Sequence, residues 1–598
     1  MSATLVKWLE WNDESFAKAK TEDKPILLDI GAVWCHWCHR MDSDTYSHPQ
    51  VSALINEYFT PIKVNNDRRP DINARYNMGG WPTTAFLTPQ GEIITGATYV
   101  LPAQMLGLMR QVLQAYRGNK EALIQQTTEM AQRREEASRV RAREGARLSW
   151  GIVTQIVGSI VRAYDPQYGG LGDAPKFPQA EAYDLLLTEF VNGGQRDTRL
   201  TDMVIKSLIG MGAGGMYDPV EGGWFRYSTT RDWSIPHFEK MLEDHAKLLV
   251  TYLNAYLVTR DEKIKSATEK SLSYLTNVLY DAQRGTFAGS QDADEEYYAL
   301  SLSERRQRQA PFIDWTVYTD WNAMMANALL LASSVLSEAS YRDQALRLLD
   351  YVWTTCHDEA AGTLFHFVDD SGAHLPGLLT DHVRLAQASL TAFQFTGDLK
   401  HLDRAKTLAR ATLDRLADSD GGGFFDRLDD PTAPGALHTR MKQIFENAVV
   451  ADVFLALHHL TGDAEYLNTG EQTLLVFADE YTRYDYMAAA YGLAVNRAVN
   501  EPTEVAVVGA MDDSRTQALL AAAWQVYVPW RIVLPLDPAR DQATIEARGF
   551  PVSNVPVAYV CRGQTCSAPV SDPASLADLL SDRPGLIARA GRPLEGER

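Results

Sequence analysis

Two cysteines separated by two residues, Cys35 and Cys38, lie where an apolar run ending at Gly31 gives way to a helical pattern. A thiol at a helix start sits among backbone N–H groups with no partner, at the positive end of the helix dipole. Its pKa can therefore fall to ~3.5–7.5. Cys35 is the expected nucleophile, and Cys38, one turn on, the thiol that resolves a mixed disulfide. His36 between them could stabilise the Cys35 thiolate or point to solvent. Other readings of the pair are a structural or redox-inert dithiol, or a metal site that adds His36 and His39. Four donors within about one and a half helical turns cannot easily surround a tetrahedral ion, so no metal is expected, and no cofactor. Cys561 and Cys566 are read as a reduced pair or a strand-turn pairing, and Cys356 as an apolar filler.

A second set of residues suits a sugar site. Trp224, Tyr227 and Trp321 offer aromatic faces for a pyranose ring. His237, Glu239, Asp292, Asp294, Asp381 and His382 supply groups from which an acid and a base could be drawn. The competing reading of Pro236–Leu242 is a helix start, with Pro236 and Glu239 capping and Met241 and Leu242 in a core. Arg226 and Lys240 could instead pair with acidic rim residues. His237 followed by Glu239 does not make a zinc deaminase, because the Pro-Cys-x-x-Cys partner is missing.

The elements that must hold these residues fall into blocks. Residues 24–31 read as a buried strand, 60–65 as a second, and 83–88 with 92–96 as a hairpin turning at Pro89–Gly91; helices fill the intervals, and one closes the block from Pro102 to Tyr116. This β-α-β-α-β-β-α order is thioredoxin-like. Residues 121–147 read as a charged helical linker, the arginines among them interleaved with glutamates. From Leu148, paired amphipathic helices take over, including 241–259 with 262–280 and 321–338 with 341–357. A motif recurs between them: Asp, three residues, Gly, Gly or Thr, then a large apolar residue. It begins at Asp165, Asp218, Asp281, Asp358 and Asp418, with a degenerate sixth copy expected near Tyr484–Asp485. Each copy marks a helix ending in a glycine turn, with a short extended piece crossing one rim. Six such hairpins can close into an (α/α)6 toroid; an open solenoid is the alternative. From about residue 501 strands return. The expected protein is multidomain: an α/β thioredoxin-like domain (1–120), the linker (121–147), an all-α toroid (148–500) and a small α/β appendage (501–598).

The bulk numbers narrow the function. The chain has 598 residues, more than one core sustains, and 57 basic against 77 acidic side chains give a net charge of −20. That charge disfavours nucleic acid as a partner. No secretory signal pattern or membrane-spanning apolar run is read, so the expectation is a cytoplasmic protein without a membrane partner. Five cysteines cannot form a disulfide framework in so long a chain.

Trp34-Cys35-x-x-Cys38, an Asp six residues before the first cysteine (Asp29) and Trp81-Pro82-Thr83 match the thioredoxin pattern. The resemblance implies that Asp29 is a buried proton acceptor for Cys38 and that Pro82 is a cis-proline facing the dithiol, with Trp34 and Trp81 beside the substrate. Longer motifs, including Cys35–Met41, Lys63–Ile72, Ala174–Pro178, Pro236–Leu242, Gln291–Asp294 and Tyr559–Cys566, resemble the spermatogenesis-associated thioredoxin-domain family. That family is similar to a thioredoxin-like domain joined to a six-hairpin glycosidase-like toroid. It implies protein disulfides or a thiol reductant as partners of the dithiol, and a sugar as a ligand of the toroid. Three segments depart from the family: a shortened stretch after Asp294, Asp314–Asp320, and Phe445-Glu446-Asn447-Ala448-Val449. An altered toroid pocket is expected from them.

Overall fold

A computed structural model describes residues 5–551 and 553–582. The amino-terminal block runs α1 (Asp13–Glu22), β1 (Ile26–Gly31), α2 (His36–Met41), α3 (Pro49–Tyr58), β2 (Thr60–Asn65), α4 (Pro70–Tyr76), β3 (Thr83–Leu87), β4 (Ile93–Ala97) and α5 (Pro102–Gly118). Its sheet has the order β2-β1-β3-β4, with β1 parallel to β2 and antiparallel to β3. Every residue of β1 is buried, because the strand has helices on both faces. Ile26, Leu28 and Ile30 pack on one side, and Leu27 on the other with Met41 and Tyr46. The next helix, α6 (Lys120–Ser138), begins the stretch read as a linker.

The helical block follows as α7 (Trp150–Ala163), α8 (Ala180–Asn192), α9 (Thr198–Ala213), α10 (Leu242–Thr259), α11 (Glu262–Tyr274), two short loop helices α12 (Glu295–Tyr298) and α13 (Leu302–Arg305), then α14 (Thr319–Val335), α15 (Ala339–Cys356), α16 (Leu379–Thr396), α17 (Leu399–Leu416), α18 (Ile444–Thr461), α19 (Ala464–Leu475) and α20 (Ala489–Val499). Helices α8, α10, α14, α16, α18 and α20 each pack on the next, and α20 packs back on α8. The inner ring is therefore closed. Helices α9, α11, α15, α17, α19 and α7 form the outer ring, so the solenoid alternative is excluded.

The glycine motif is held the same way around the upper rim. Lys176, Lys240 and Lys442 each reach the motif aspartate ahead of them, Asp165, Asp218 and Asp418, at 2.6, 2.8 and 2.5 Å. Each lysine also donates to a motif glycine carbonyl, of Gly169, Gly222 or Gly422. The next inner helix then receives the extended piece: the Trp224 N–H donates to His245, while the Phe287 and Phe424 backbones exchange two hydrogen bonds each with Asn322 and Asn447. The lysines of the Ala174–Pro178 and Pro236–Leu242 motifs are thus structural pins of the rim.

A second repeat closes the lower rim. Thr259-Arg260-Asp261, Thr396-Gly397-Asp398 and Thr461-Gly462-Asp463 join inner to outer helices. The threonine hydroxyl donates back to a carbonyl four residues earlier, the central residue is left-handed, and the aspartate side chain accepts an N–H of the next helix.

The carboxy-terminal segment is a four-stranded sheet centred on residues 503–508, parallel to 531–536 and antiparallel to 557–562. It covers the lower end of the toroid: Tyr527 bonds Thr188 at the end of α8, and the Val533 N–H donates to Gln394 at the end of α16. Cys561 and Cys566 form a disulfide across its hairpin. Residues 583–598 of the expected appendage lie outside the described residues. Helix α18 is, against expectation, long and apolar enough to cross a membrane by length and composition. Here it is an inner-ring wall, its apolar sides held by α16, α19 and α20.

Gly397 and Gly462 occupy equivalent left-handed positions, φ 73° and 78°. A Cβ at Gly462 would meet nothing within 4 Å, whereas one at Gly397 would lie 2.3 Å from Met511 Sδ of the appendage. Gly462→Ala is expected to cost about 1–2 kcal/mol of backbone strain alone. Gly397→Ala should cost about 1–3 kcal/mol more by overpacking. Urea unfolding of the two variants side by side checks the difference.

Candidate functional site

The dithiol is built by β1 and α2. Cys35 is the N-cap of α2, its sulfur 3.2 Å from the Cys38 N–H, and the two cysteines are joined as a disulfide. Trp81–Pro82 is cis, and Ile30 pairs with Thr83, so Pro82 stands at the end of the sheet from which the chain leaves for Cys35. Beneath α2, Gly31 is small where it meets Cys38: a Cβ there would lie 3.2 Å from the Cys38 sulfur. Asp29, two residues earlier on the same face of β1, is buried against the Tyr46 hydroxyl (3.2 Å) and the Lys63 ammonium (3.2 Å). Burial raises the Asp29 carboxyl above its ordinary range, with Lys63 opposing.

The dithiol does not face open solvent. Cys35 is 4 % exposed and Cys38 7 %, and both belong to the same packed cluster as the toroid core. The thioredoxin-like domain sits as a cap on loops that precede the inner helices. His39, just after the dithiol, bonds Asp292 at 3.2 Å, and this contact raises the imidazole pKa. Arg226, from the loop before α10, lays its guanidinium 4.4 Å from the Trp34 ring centre and 5.0 Å from that of Trp81. Farther round, Arg68 pairs with Asp369 at 3.0 Å, and Arg75 with Asp426 at 2.8 Å.

One buried chain runs through this junction. Trp34 Nε1 donates to the Asp67 carboxylate at 2.5 Å, and the Asp67 carbonyl lies 2.8 Å from His366 Nε2. His366 Nδ1 lies 3.0 Å from Asp381 on α16. Burial pulls the His366 pKa down, but the Asp381 carboxylate and nearby Asp320 outweigh it and hold it at about 10. Both ring nitrogens are engaged, and burial also lifts the Asp381 carboxyl, to about 7, against the pull of His366. Asp320, His366 and Asp381 are close enough together to suggest a metal site. In the structure the three form a hydrogen-bonded network, His366 Nδ1 lying against Asp381 and Nε2 against the Asp67 carbonyl.

Of the residues read as a sugar site only Tyr227, His237 and Glu239 come together. Trp224 is fully buried among Tyr217, His245 and Tyr252, so its face is closed to any ligand. His382 is a core histidine, bonded to the Leu378 carbonyl and to Thr363, with its pKa driven down to about 4 by burial. Asp294 caps α12 through the Tyr297 N–H, and Trp321 packs on Tyr318. Asp381 serves His366, and Asp292 serves His39. Tyr227 is stacked between Phe177 and His237. His237 also lies 3.4 Å from buried Glu239, which has one oxygen without a hydrogen-bond partner. Trp34 and Trp81 do flank the dithiol, and the Trp81 indole also donates to Asn73. Arg226, read as a partner for acidic rim residues, instead lies over the two indoles, and the reading missed Asp67 and His366, whose pairing joins segments about 300 residues apart in sequence.

His366→Leu leaves Asp381 buried without its cation. The expected loss is about 3–5 kcal/mol at the junction. After reduction, iodoacetamide should alkylate Cys35 faster in this variant than in the wild type.

Residues 1–135 match the family model described as Thioredox_DsbH, a protein of unknown function, DUF255. Spermatogenesis-associated protein 20 of Homo sapiens is 24% identical, the match covering 96% of this chain and 90% of that protein. Thioredoxin C-3 of Corynebacterium nephridii is 29% identical over 19% of this chain and 74% of its own. Among solved structures, a sugar epimerase from a ruminal bacterium aligns with a TM-score of 0.45 at 12% identity, over 55% of this chain and 87% of that one. The chain is thus similar over 96% of its length to spermatogenesis-associated protein 20, with a thioredoxin-like domain that matches the Thioredox_DsbH model joined to a closed ring of six helical hairpins.

Proposed function

We propose that the cap is a thiol-disulfide oxidoreductase centre whose substrate is a small disulfide. The observation that carries the reading is Cys35 at the N-cap of α2, bonded to Cys38 one turn later, where the helix end favours a thiolate. In the reduced enzyme the Cys35 thiolate attacks one sulfur of the substrate disulfide and expels the other half as a thiolate. Cys38, deprotonated, then attacks the Cys35 sulfur, releasing the second half and leaving the Cys35–Cys38 disulfide. Two electrons pass from the protein to the substrate, and a second dithiol returns the pair to its reduced form. Asp29 lies on the same strand face as Gly31, against which Cys38 packs, and its raised carboxyl suits it to take up the Cys38 proton. Pro82, at the sheet end beside the dithiol, would support the substrate from the other side. The low exposure of both cysteines, packed in one cluster with toroid residues, favours a small disulfide over a folded protein one. A cytoplasmic setting, rich in low-molecular-weight thiols, fits this chemistry.

Reduced wild-type protein should reduce a small disulfide such as oxidised glutathione faster than it reduces insulin. Cys35→Ser should fall to the uncatalysed rate, and Cys38→Ser should trap the mixed disulfide, visible as added mass. Equal rates in wild type and Cys35→Ser would remove the reading and leave the cap as a structural lid.

A further inference from the structure

The toroid has a cavity of its own at the upper end of its inner ring, about 380 Å³ in volume. Its walls come from the first turns of α8, α10, α16 and α18 and from the approach to α20. This volume admits one small polar molecule of the size of a monosaccharide. The cap contacts lie on the loops ahead of α10, α14, α16 and α18, whereas Phe445 and Met487, beside α18 and α20, are exposed. The cavity therefore has an entrance that the cap does not close.

Two features of the lining ask for a ligand. The first is Arg384 on α16, whose only side-chain hydrogen bond among the described residues is to Gln387 at 3.2 Å, with no carboxylate within ion-pair distance. Glu181 and Glu243 share the cavity, but Lys247 engages them and neither pairs with Arg384; a guanidinium whose fork has no carboxylate on it is a ready carboxylate receptor, because that planar fork matches two carboxylate oxygens. The second is Glu446 on α18, one of whose oxygens is buried without a hydrogen-bond partner. Lys247, by contrast, is already committed to Glu243 at 2.7 Å, with Glu181 at 3.9 Å. Phe445 and Tyr486 add aromatic faces at the entrance.

The geometry points to a binding site for a hydroxylated monocarboxylate of the sugar-acid class, its carboxylate held by Arg384 and a hydroxyl accepted by Glu446. It lies apart from the dithiol and does not depend on the redox reading.

The charges around Glu446 predict how binding varies with pH. It is faced by Asp320 on α14, Asp381 and Arg384 on α16, Asp426 ahead of α18, Glu243 and Lys247 on α10, Glu181 on α8 and Tyr486 before α20. Burial, with Asp426, Asp320 and Asp381 adding and Arg384 opposing, lifts its carboxyl to about 8. Below that pH it is neutral and tolerates an anion beside it. Above it, Glu446 ionises and repels the ligand.

Isothermal titration of the full-length protein with glucuronate, galacturonate and gluconate tests the site, with glucose and acetate as controls. At least one sugar acid should bind saturably at pH 7, with a Kd below about 1 mM. Binding should weaken as pH rises through about 8 in the wild type and stay level in Glu446→Gln. Arg384→Gln should lose about tenfold or more in affinity at an unchanged melting temperature. If that variant does not fold, Arg384→Lys, which keeps the charge but not the fork, should show the loss instead. Cys35→Ser should bind as the wild type does. No saturable binding of any of the three acids, equal binding of glucose, or full affinity in the folded arginine variant would each overturn the proposal.

Discussion

The contact on which the two main parts depend is the His366 imidazolium, held between the Asp67 carbonyl of the cap and the Asp381 carboxylate of the toroid. A buried cation is tolerated only where both N–H groups have partners, and here each partner comes from a different part. Removing either part would leave a buried charge half satisfied. The cap is thus seated by a requirement that neither part can meet alone. Because the Asp67 side chain also accepts the Trp34 indole, next to Cys35, the same contact fixes the platform on which the dithiol rests. Docking and the placement of the redox pair are one event.

The toroid supplies this network because its ring is closed and its two rims are built differently. Buried lysine–aspartate pins and Asn or His side chains on the inner helices hold the upper rim, and these polar contacts set the loops that meet the cap. Threonine–aspartate turns close the lower rim, where the appendage lies. Function-bearing loops at one end of a rigid ring and a sealed base at the other are what the hairpin repeat provides.

Much of this architecture was legible in the sequence, for identifiable reasons. The glycine motif reads clearly because only glycine takes left-handed backbone without cost, so Gly169, Gly222 and Gly422 mark the rim directly. The dithiol reads as clearly, since its chemistry is local to one turn of helix. The lower-rim turns were overlooked because Arg260 stands where two other copies have glycine, which hides the repeat from a search on residue type. The toroid pocket was misread for a different reason. Trp224 and His382 look like ligand-binding residues by type, but the sequence does not say which way the extended piece carrying Trp224 turns its side chain, or which side of α16 faces the bore at His382. Both face the core. Glu446 and Arg384 sit among ordinary helical residues, and only the closed ring brings them to one cavity.

The arrangement has a consequence for how the two cavities relate. Arg226 stacks on Trp34 beside the dithiol; at the top of α10 Lys247 holds the Glu243 carboxyl low, with Arg226 adding a little, while burial lifts the Asp244 carboxyl to about 7 against Arg226. Glu243 in turn holds Lys247 in the lining of the toroid cavity. Between the disulfide and that cavity there is therefore a continuous set of charges carried by one loop and the first turns of one helix. A cap resting on unconnected loops would give two independent proteins on one chain; this seating makes them neighbours electrostatically as well as covalently.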